Sequence, residues 1–373
     1  METVPDNSEG NIKRESTHNY PCPSCGGNME FAPECQALIC PYCGGKTDVE
    51  KTSYGIQEHD FFSAEDTAHQ NWGNEKRVIR CQNCGAQTVL DETDAAKFCA
   101  FCGSPHVVKQ EESPGIVPES LIPFKITREN ALEGFKMWIK NRFFAPKALK
   151  NEFKGGRLSG VYIPSWTYDS NAYSTYTAEA GTYYYETETR WVEENGHRKM
   201  VTEQVRKIRW RYVSGRYDEF FNDVLVNASN QVNEGLMKKL EPFHLNELVM
   251  YKPQFLSGFL AERYSINLKE GWDRAKNHIR EEINNAVIRQ INADEVRCLS
   301  VDTTYCDIKF KHILLPVWMS AYIYKGKTYR YMVNGQTGEV QGHAPISPLK
   351  VGLVILAFIA VISALVFIFN KSR

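Results

Sequence analysis

Nine of the eleven cysteines fall between Cys22 and Cys102, and eight of these form four Cys-x-x-Cys pairs. The pairs are Cys22/Cys25, Cys40/Cys43, Cys81/Cys84 and Cys99/Cys102. Two thiolates held two residues apart can face one ion, and two such pairs complete the tetrahedral four-sulfur set of structural zinc. Fourteen residues separate the first pair from the second and the third from the fourth, and the two sets are offset by 59 positions. A spacing that occurs twice points to two zinc ribbons, one Zn2+ held by Cys22, Cys25, Cys40 and Cys43 and another by Cys81, Cys84, Cys99 and Cys102. A glycine after each pair supplies the turn that aims sulfur inward. Four thiolates leave no open position for a substrate, so the expected role is structural; such binding supplies about 10–16 kcal/mol, enough to fold a unit too small for its own core. Cys35, the ninth cysteine of the cluster, is expected as a spare buried thiol.

Other chemistry is thin. Gly45-Lys-Thr47 and Gly326-Lys-Thr328 end like phosphate loops, but Cys40 and Ala321 stand where the earlier glycine is required. There is no Gly-x-Ser-x-Gly, His-Glu-x-x-His or Gly-x-Gly-x-x-Gly, and His244, His278 and His312 are scattered. No enzyme is expected. The net charge of -1 gives no whole-chain attraction to nucleic acid or anionic lipid. Lys76, Arg77, Arg80 and Lys97 flank the second cysteine set and could contact phosphate, which keeps nucleic-acid binding as an alternative. Trp166, Trp191, Trp210, Trp272 and Trp318 are expected in core and cross-strand packing rather than as a base-stacking platform.

The elements that carry these groups divide the chain into a multidomain plan. Residues 1–18 read as a flexible lead, 19–47 as ribbon 1, 48–76 as a linker or short helix, 77–108 as ribbon 2 and 109–120 as a linker. Residues 121–343 read as an α+β domain. In it Thr127-Arg-Glu-Asn130 starts a helix with Ala131, Phe135, Trp138 and Ile139 on one face, and Trp272 to Ile291 forms a second. A long hairpin is expected around Glu194-Asn-Gly196. Leu314-Leu-Pro-Val-Trp318 echoes Tyr162-Ile-Pro-Ser-Trp166, which suggests an internal duplication. Residues 349–370 read as one transmembrane helix: Val351 to Phe369 lacks charge, proline and amide side chains, and its nineteen residues span roughly 28 Å as a helix. Met1 to Arg14 has no apolar run of the secretory kind, so the bulk of the chain is expected on the cytoplasmic face of a cell membrane.

Paired ribbons, Pro123-Phe-Lys125, Gly160-Val-Tyr-Ile-Pro-Ser-Trp166, Phe220-Phe-Asn-Asp-Val-Leu-Val-Asn-Ala-Ser229, Lys311-His-Ile-Leu-Leu-Pro-Val-Trp318 and Val333-Asn-Gly-Gln-Thr-Gly338 together resemble a group of bacterial TFIIB-type zinc-ribbon membrane proteins. Members are often labelled as primosomal protein N′ or replication-restart helicase-like proteins. This chain lacks the nucleotide loop that a helicase needs, so the ribbons alone carry that label. Some members are encoded beside phage-shock protein A and an SPFH-domain protein, and the resemblance implies partners of that kind at the inner membrane face. The expectation is a membrane-tethered adaptor.

Overall fold

The computed structural model describes residues 20–53, 55–64, 76–84, 86–91, 99, 101, 104, 107–110, 116–146, 158–194, 197–324 and 327–371. Strands β1 (Glu30–Ala32), β2 (Ala37–Ile39) and β3 (Lys46–Asp48) form a small antiparallel sheet around the first cysteine set. The phosphate-loop-like Lys46 and Thr47 lie in β3, paired with Ile39 and Leu38, and are therefore extended. Next, β4 (His59–Asp60) and the second-ribbon strands β5 (Lys76–Cys81), β6 (Gln87–Asp91) and β7 (Val107–Gln110) all join a second, larger sheet.

That sheet is built on β8 (Ser120–Leu121), β9 (Leu158–Glu194), β10 (His197–Asn227), β11 (Val249–Met250), β12 (Leu260–Glu262), β13 (Glu295–Tyr324), β14 (Lys327–Asn334) and β15 (Val340–Gly342). Strand β9 pairs antiparallel with β10 on one side and with β13 on the other, from Leu158 to Gly181. At 37 residues, its contour runs about 120 Å. The expected α+β domain is therefore mostly β. Its helices are α1 (Arg128–Asn141), α2 (Glu234–Leu240) and α3 (Leu268–Ile291). Thr127 Oγ1 caps α1 by accepting from Asn130 N at 3.1 Å, and Asn267 Oδ1 caps α3 by accepting from Glu270 N at 2.9 Å.

Even-numbered residues of β9 face the helices. Trp166, Tyr168, Ala172 and Tyr176 pack with Trp272, Ala275, Ile279, Ile283 and Val287 of α3. Tyr162 belongs to the cluster that holds Phe135 and Ile139 of α1 together with Met29, Phe31 and Cys40 of ribbon 1. Odd-numbered Val161 and Ile163 pack on the opposite face with Cys81, Cys99 and Phe101 of ribbon 2. The two ribbons thus brace opposite faces of one sheet. Beyond Gly181 the β9–β10 hairpin continues as a two-stranded arm, where Trp191 is exposed rather than packed as expected.

The sequence echo has a structural counterpart. Ile163 and Leu315, at matching positions of the two echoing stretches, are registered partners in β9 and β13. Pro164 O accepts from Ala228 N at 3.0 Å, and Pro316 O from Gly335 N at 2.8 Å. Ala228 O then accepts from Ser265 N and Ile266 N, and Gly335 O from Lys125 N and Ile126 N. Strand β12 runs parallel to β9 as β8 does to β13. The halves β8-α1-β9-β10 and β12-α3-β13-β14 correspond bond for bond at this centre.

The chain finishes in α4 (Pro348–Lys371), whose described residues are exposed from Leu353 onward and which is the one described helix long and apolar enough to cross a membrane. Its root is fastened to the loop after α1: Lys350 Nζ donates to Phe143 O at 2.8 Å and Ala145 O at 2.7 Å, and Ser347 N to Phe144 O at 2.8 Å.

Candidate metal centres

In the first set the backbone makes matching turns at each cysteine pair. Cys22 N donates to Gly27 O at 2.7 Å and Gly26 N to Cys22 O at 2.8 Å; Cys40 N donates to Gly45 O at 2.8 Å and Gly44 N to Cys40 O at 2.9 Å. Gly26 and Gly44 stand at φ 73° and 74°, where a Cβ would be strained. These turns bring the four sulfurs within 4.8 Å of one another, with Cys22 Sγ 3.5 Å from Cys43 Sγ and Cys25 Sγ 3.4 Å from Cys40 Sγ. A tetrahedron with metal–sulfur bonds of about 2.3 Å has edges of about 3.8 Å, so the thiols already stand near the spacing of a bound ion.

The surroundings split the four thiols. Amides of Ser24 and Cys25 pull Cys22 down to about 6. The Gly45 amide pulls Cys43 the same way, but the sulfurs of Cys25, Cys22 and Cys40 push it up to about 12. Such mutual opposition is what a dipositive ion relieves, because all four ligands can then be thiolates.

The second set repeats the geometry where it is described. Cys81 N donates to Ala86 O at 2.9 Å and Cys99 N to Ser104 O at 2.8 Å. The sulfurs of Cys81, Cys84 and Cys99 lie within 4.8 Å of one another, Cys84 and Cys99 being 3.6 Å apart. Cys102, the expected fourth ligand, lies outside the described residues, as does Lys97. The chain therefore carries two cysteine groups, of four and of three described members, able to hold metal ions. Cys35 is not in either group: it is exposed, contrary to the expectation of burial, because it lies in the turn between β1 and β2.

Sequence reasoning missed a charged cluster on the odd-numbered face of the sheet. Lys311 Nζ lies 2.7 Å from Asp223 Oδ1 and 3.3 Å from Glu58 Oε1, and Asp169 Oδ1 accepts from Asp223 N at 2.7 Å. Burial lifts the Asp169 carboxyl to about 6, and Glu58 adds to the rise. Burial pulls Lys311 down, but Asp223, Asp169 and Glu58 outweigh it and hold the ammonium above its ordinary range. Beside it, His59 pairs with Glu119. Asp223 stands at φ 53° in a bulge of β10, an irregularity with no spacing signature. Elsewhere Glu262 is buried with Oε1 accepting from Ser229 Oγ at 2.7 Å, and burial pushes it up to about 8. His312 is a buried core residue, its Nδ1 2.9 Å from Ile116 O, and burial lowers it to about 4, so the ring is neutral.

The chain has a relative of nearly its own length. It is 29% identical over 336 residues to a Bacillus subtilis (strain 168) protein described as "Uncharacterized protein YdjG", a match covering 89% of this chain and 92% of the relative. No family model matches the chain, and no solved structure matches it.

Proposed function

We propose that this protein is a membrane-tethered adaptor whose two zinc-filled cysteine sites stiffen a β platform for protein partners at the bilayer surface. The observation that carries the reading is the way ribbon 1 enters the core: Phe31 N donates to Ser257 O at 2.9 Å, Ser257 Oγ to Met29 O at 2.6 Å, and Gln36 Nε2 to Phe124 O at 2.6 Å. A ribbon so fastened acts on the shape of the platform rather than on a substrate, with Cys22 and Cys40 buried and Cys25 and Cys43 exposed. Zinc fits it because four closely spaced thiols match that ion's preferred ligands. The apolar α4 supplies the tether, and partners of the phage-shock protein A or SPFH kind are those the motif resemblance implies.

The test is affinity purification of the full chain in mild detergent at physiological salt, beside a chain lacking 348–371 and a Cys22→Ser/Cys40→Ser variant. Recovery of defined membrane-associated proteins with the full chain, lost with either variant, supports the adaptor. Recovery of nuclease-sensitive nucleic acid with no protein overturns it in favour of a nucleic-acid-binding ribbon protein, and partners that persist on membranes without α4 overturn the tether.

A further inference from the structure

The three strands β10, β9 and β13 form a ribbon with two outer edges. That of β13 is broken twice, by bulges at Arg297/Ser300 and Cys306/Lys309 with Cys298 and Asp307 at φ 51° and 52°. Bulges of this kind disfavour pairing with another strand, and β13 takes β4 only past the second one, at Lys309 and Phe310. The edge of β10 has no such protection from His197 to Phe221, where its register with β9 is unbroken, and among the described residues no strand pairs with it. In the other half of the molecule, the corresponding outer edge of β14 does take a strand, β15.

Beyond Glu203, charge on β10 is segregated by sign. Arg206, Lys207, Arg209, Arg211 and Arg216 precede Asp218, Glu219 and Asp223. A second β10 laid antiparallel meets this order reversed. A two-fold axis normal to the sheet keeps each face continuous, which requires paired residues to share a face. With the axis at Ser214, Arg209 falls opposite Glu219, Arg211 opposite Tyr217, Tyr212 opposite Arg216 and Ile208 opposite Phe220. These four pairs are attractive in kind, one ion pair, two cation–aromatic pairs and one apolar pair, while Trp210 falls opposite Asp218 and Val213 opposite Gly215. The same register accounts for two otherwise costly exposures, Tyr212 at 72% and Phe220 at 56%. Helix α3 approaches this stretch from the opposite face, through Gln290 Nε2 to Arg216 O at 3.2 Å, and leaves Tyr212 and Phe220 uncovered.

We infer that the outer edge of β10 is the docking site for a second copy of this chain, joined antiparallel about Ser214 into one sheet continuous across two molecules. Single-sign edges repel copies of themselves; this edge is complementary to its own reverse.

The experiment uses the full chain in detergent and in nanodiscs, with exposed Cys35, Cys298 and Cys306 changed to serine. Light scattering should give the mass of a dimer. Ser214→Cys should cross-link to its mate under mild oxidation, whereas Thr202→Cys, equally exposed on the same strand but far from its own copy in this register, should not. Arg209→Glu should weaken association about tenfold by setting like charges opposite each other at both ends of the joint, and Arg209→Glu/Glu219→Arg should restore it. A monomer, equal cross-linking at 214 and 202, or a dimer indifferent to the charge swap each overturns the inference. Loss of the partner proteins sought above, with the dimer intact, would count against the adaptor reading alone.

Discussion

Trp166 and Trp318 perform the same task in opposite halves of the fold. The indole of Trp166 donates to Ile266 O at 2.9 Å, just before α3, and that of Trp318 to Ile126 O at 2.8 Å, just before α1. Each tryptophan comes from one half and secures the helix start of the other. The two halves are therefore cross-tied rather than simply adjacent.

Replacing either indole with phenyl strands a carbonyl, buried at Ile266 and partly buried at Ile126. Trp166→Phe and Trp318→Phe should each cost about 1–3 kcal/mol of stability, read as a lower midpoint in urea unfolding with little change in slope.

Glu262 gives the fold a pH dependence of known sign. Its folded value, about 8, lies above that of a free carboxyl, so the folded chain holds a proton the unfolded chain has released. Its contribution is complete below the free-carboxyl range and is lost as pH rises through about 8. Glu262→Gln should flatten the decline in denaturation midpoint between about pH 5 and 8, a slope of at most about 1.4 kcal/mol per pH unit, while the amide oxygen still accepts from Ser229.

Lys311→Met leaves Asp169, Asp223 and Glu58 facing one another without their central cation. The loss should be about 3–5 kcal/mol at neutral pH, measured by chemical denaturation. It should shrink on acidification through about 6, where Asp169 takes up a proton, and Asp169→Asn in the same chain should recover part of it.

The metal sites are separable. Cys40→Ser should remove about one equivalent of bound zinc, measured by a chromogenic chelator on denatured protein, and leave the Cys81 site filled. Because ribbon 1 is bonded to Ser257 and Phe124, the same change should raise amide exchange at Phe31 beyond the ribbon's own turns. Exchange confined to residues near Cys40 would contradict that coupling.

Much of the site was legible from the sequence because cysteine spacing and turn glycines are local signals. The helix start at Thr127 and the apolar run of α4 were legible for the same reason, whereas the cap at Asn267 came to light only in the structure. The long hairpin was legible too, from alternation around Glu194-Asn-Gly196, but not its full extent from Leu158 to Asn227, because glycines such as Gly181 and Gly215 lie inside continuous strand. Gly181 and Gly215 are there because a Cβ would meet Ile208 and Trp210, or the ring of Tyr176, at under 3.0 Å. The Lys311 cluster was hidden because its members come from β9, β10, β13 and the segment before β4, and only strand register brings them together. Cys35 was misjudged because cysteine is usually buried, and the local turn overrode that tendency.

The fastening of Lys350 to the carbonyls of Phe143 and Ala145 leaves no slack between α4 and the platform. From Gly342 to Pro348 the chain is pinned at both ends, with His343 N donating to Arg330 O at 3.0 Å and Ser347 N to Phe144 O. A helix seated this way is a lever rather than a leash. With α4 in a bilayer, as proposed above, tilt imposed on it by a change in membrane thickness or curvature would turn α1 with it, and the ring of Phe135, stacked 3.6 Å from that of Tyr331, would carry the rotation into β14 and the sheet.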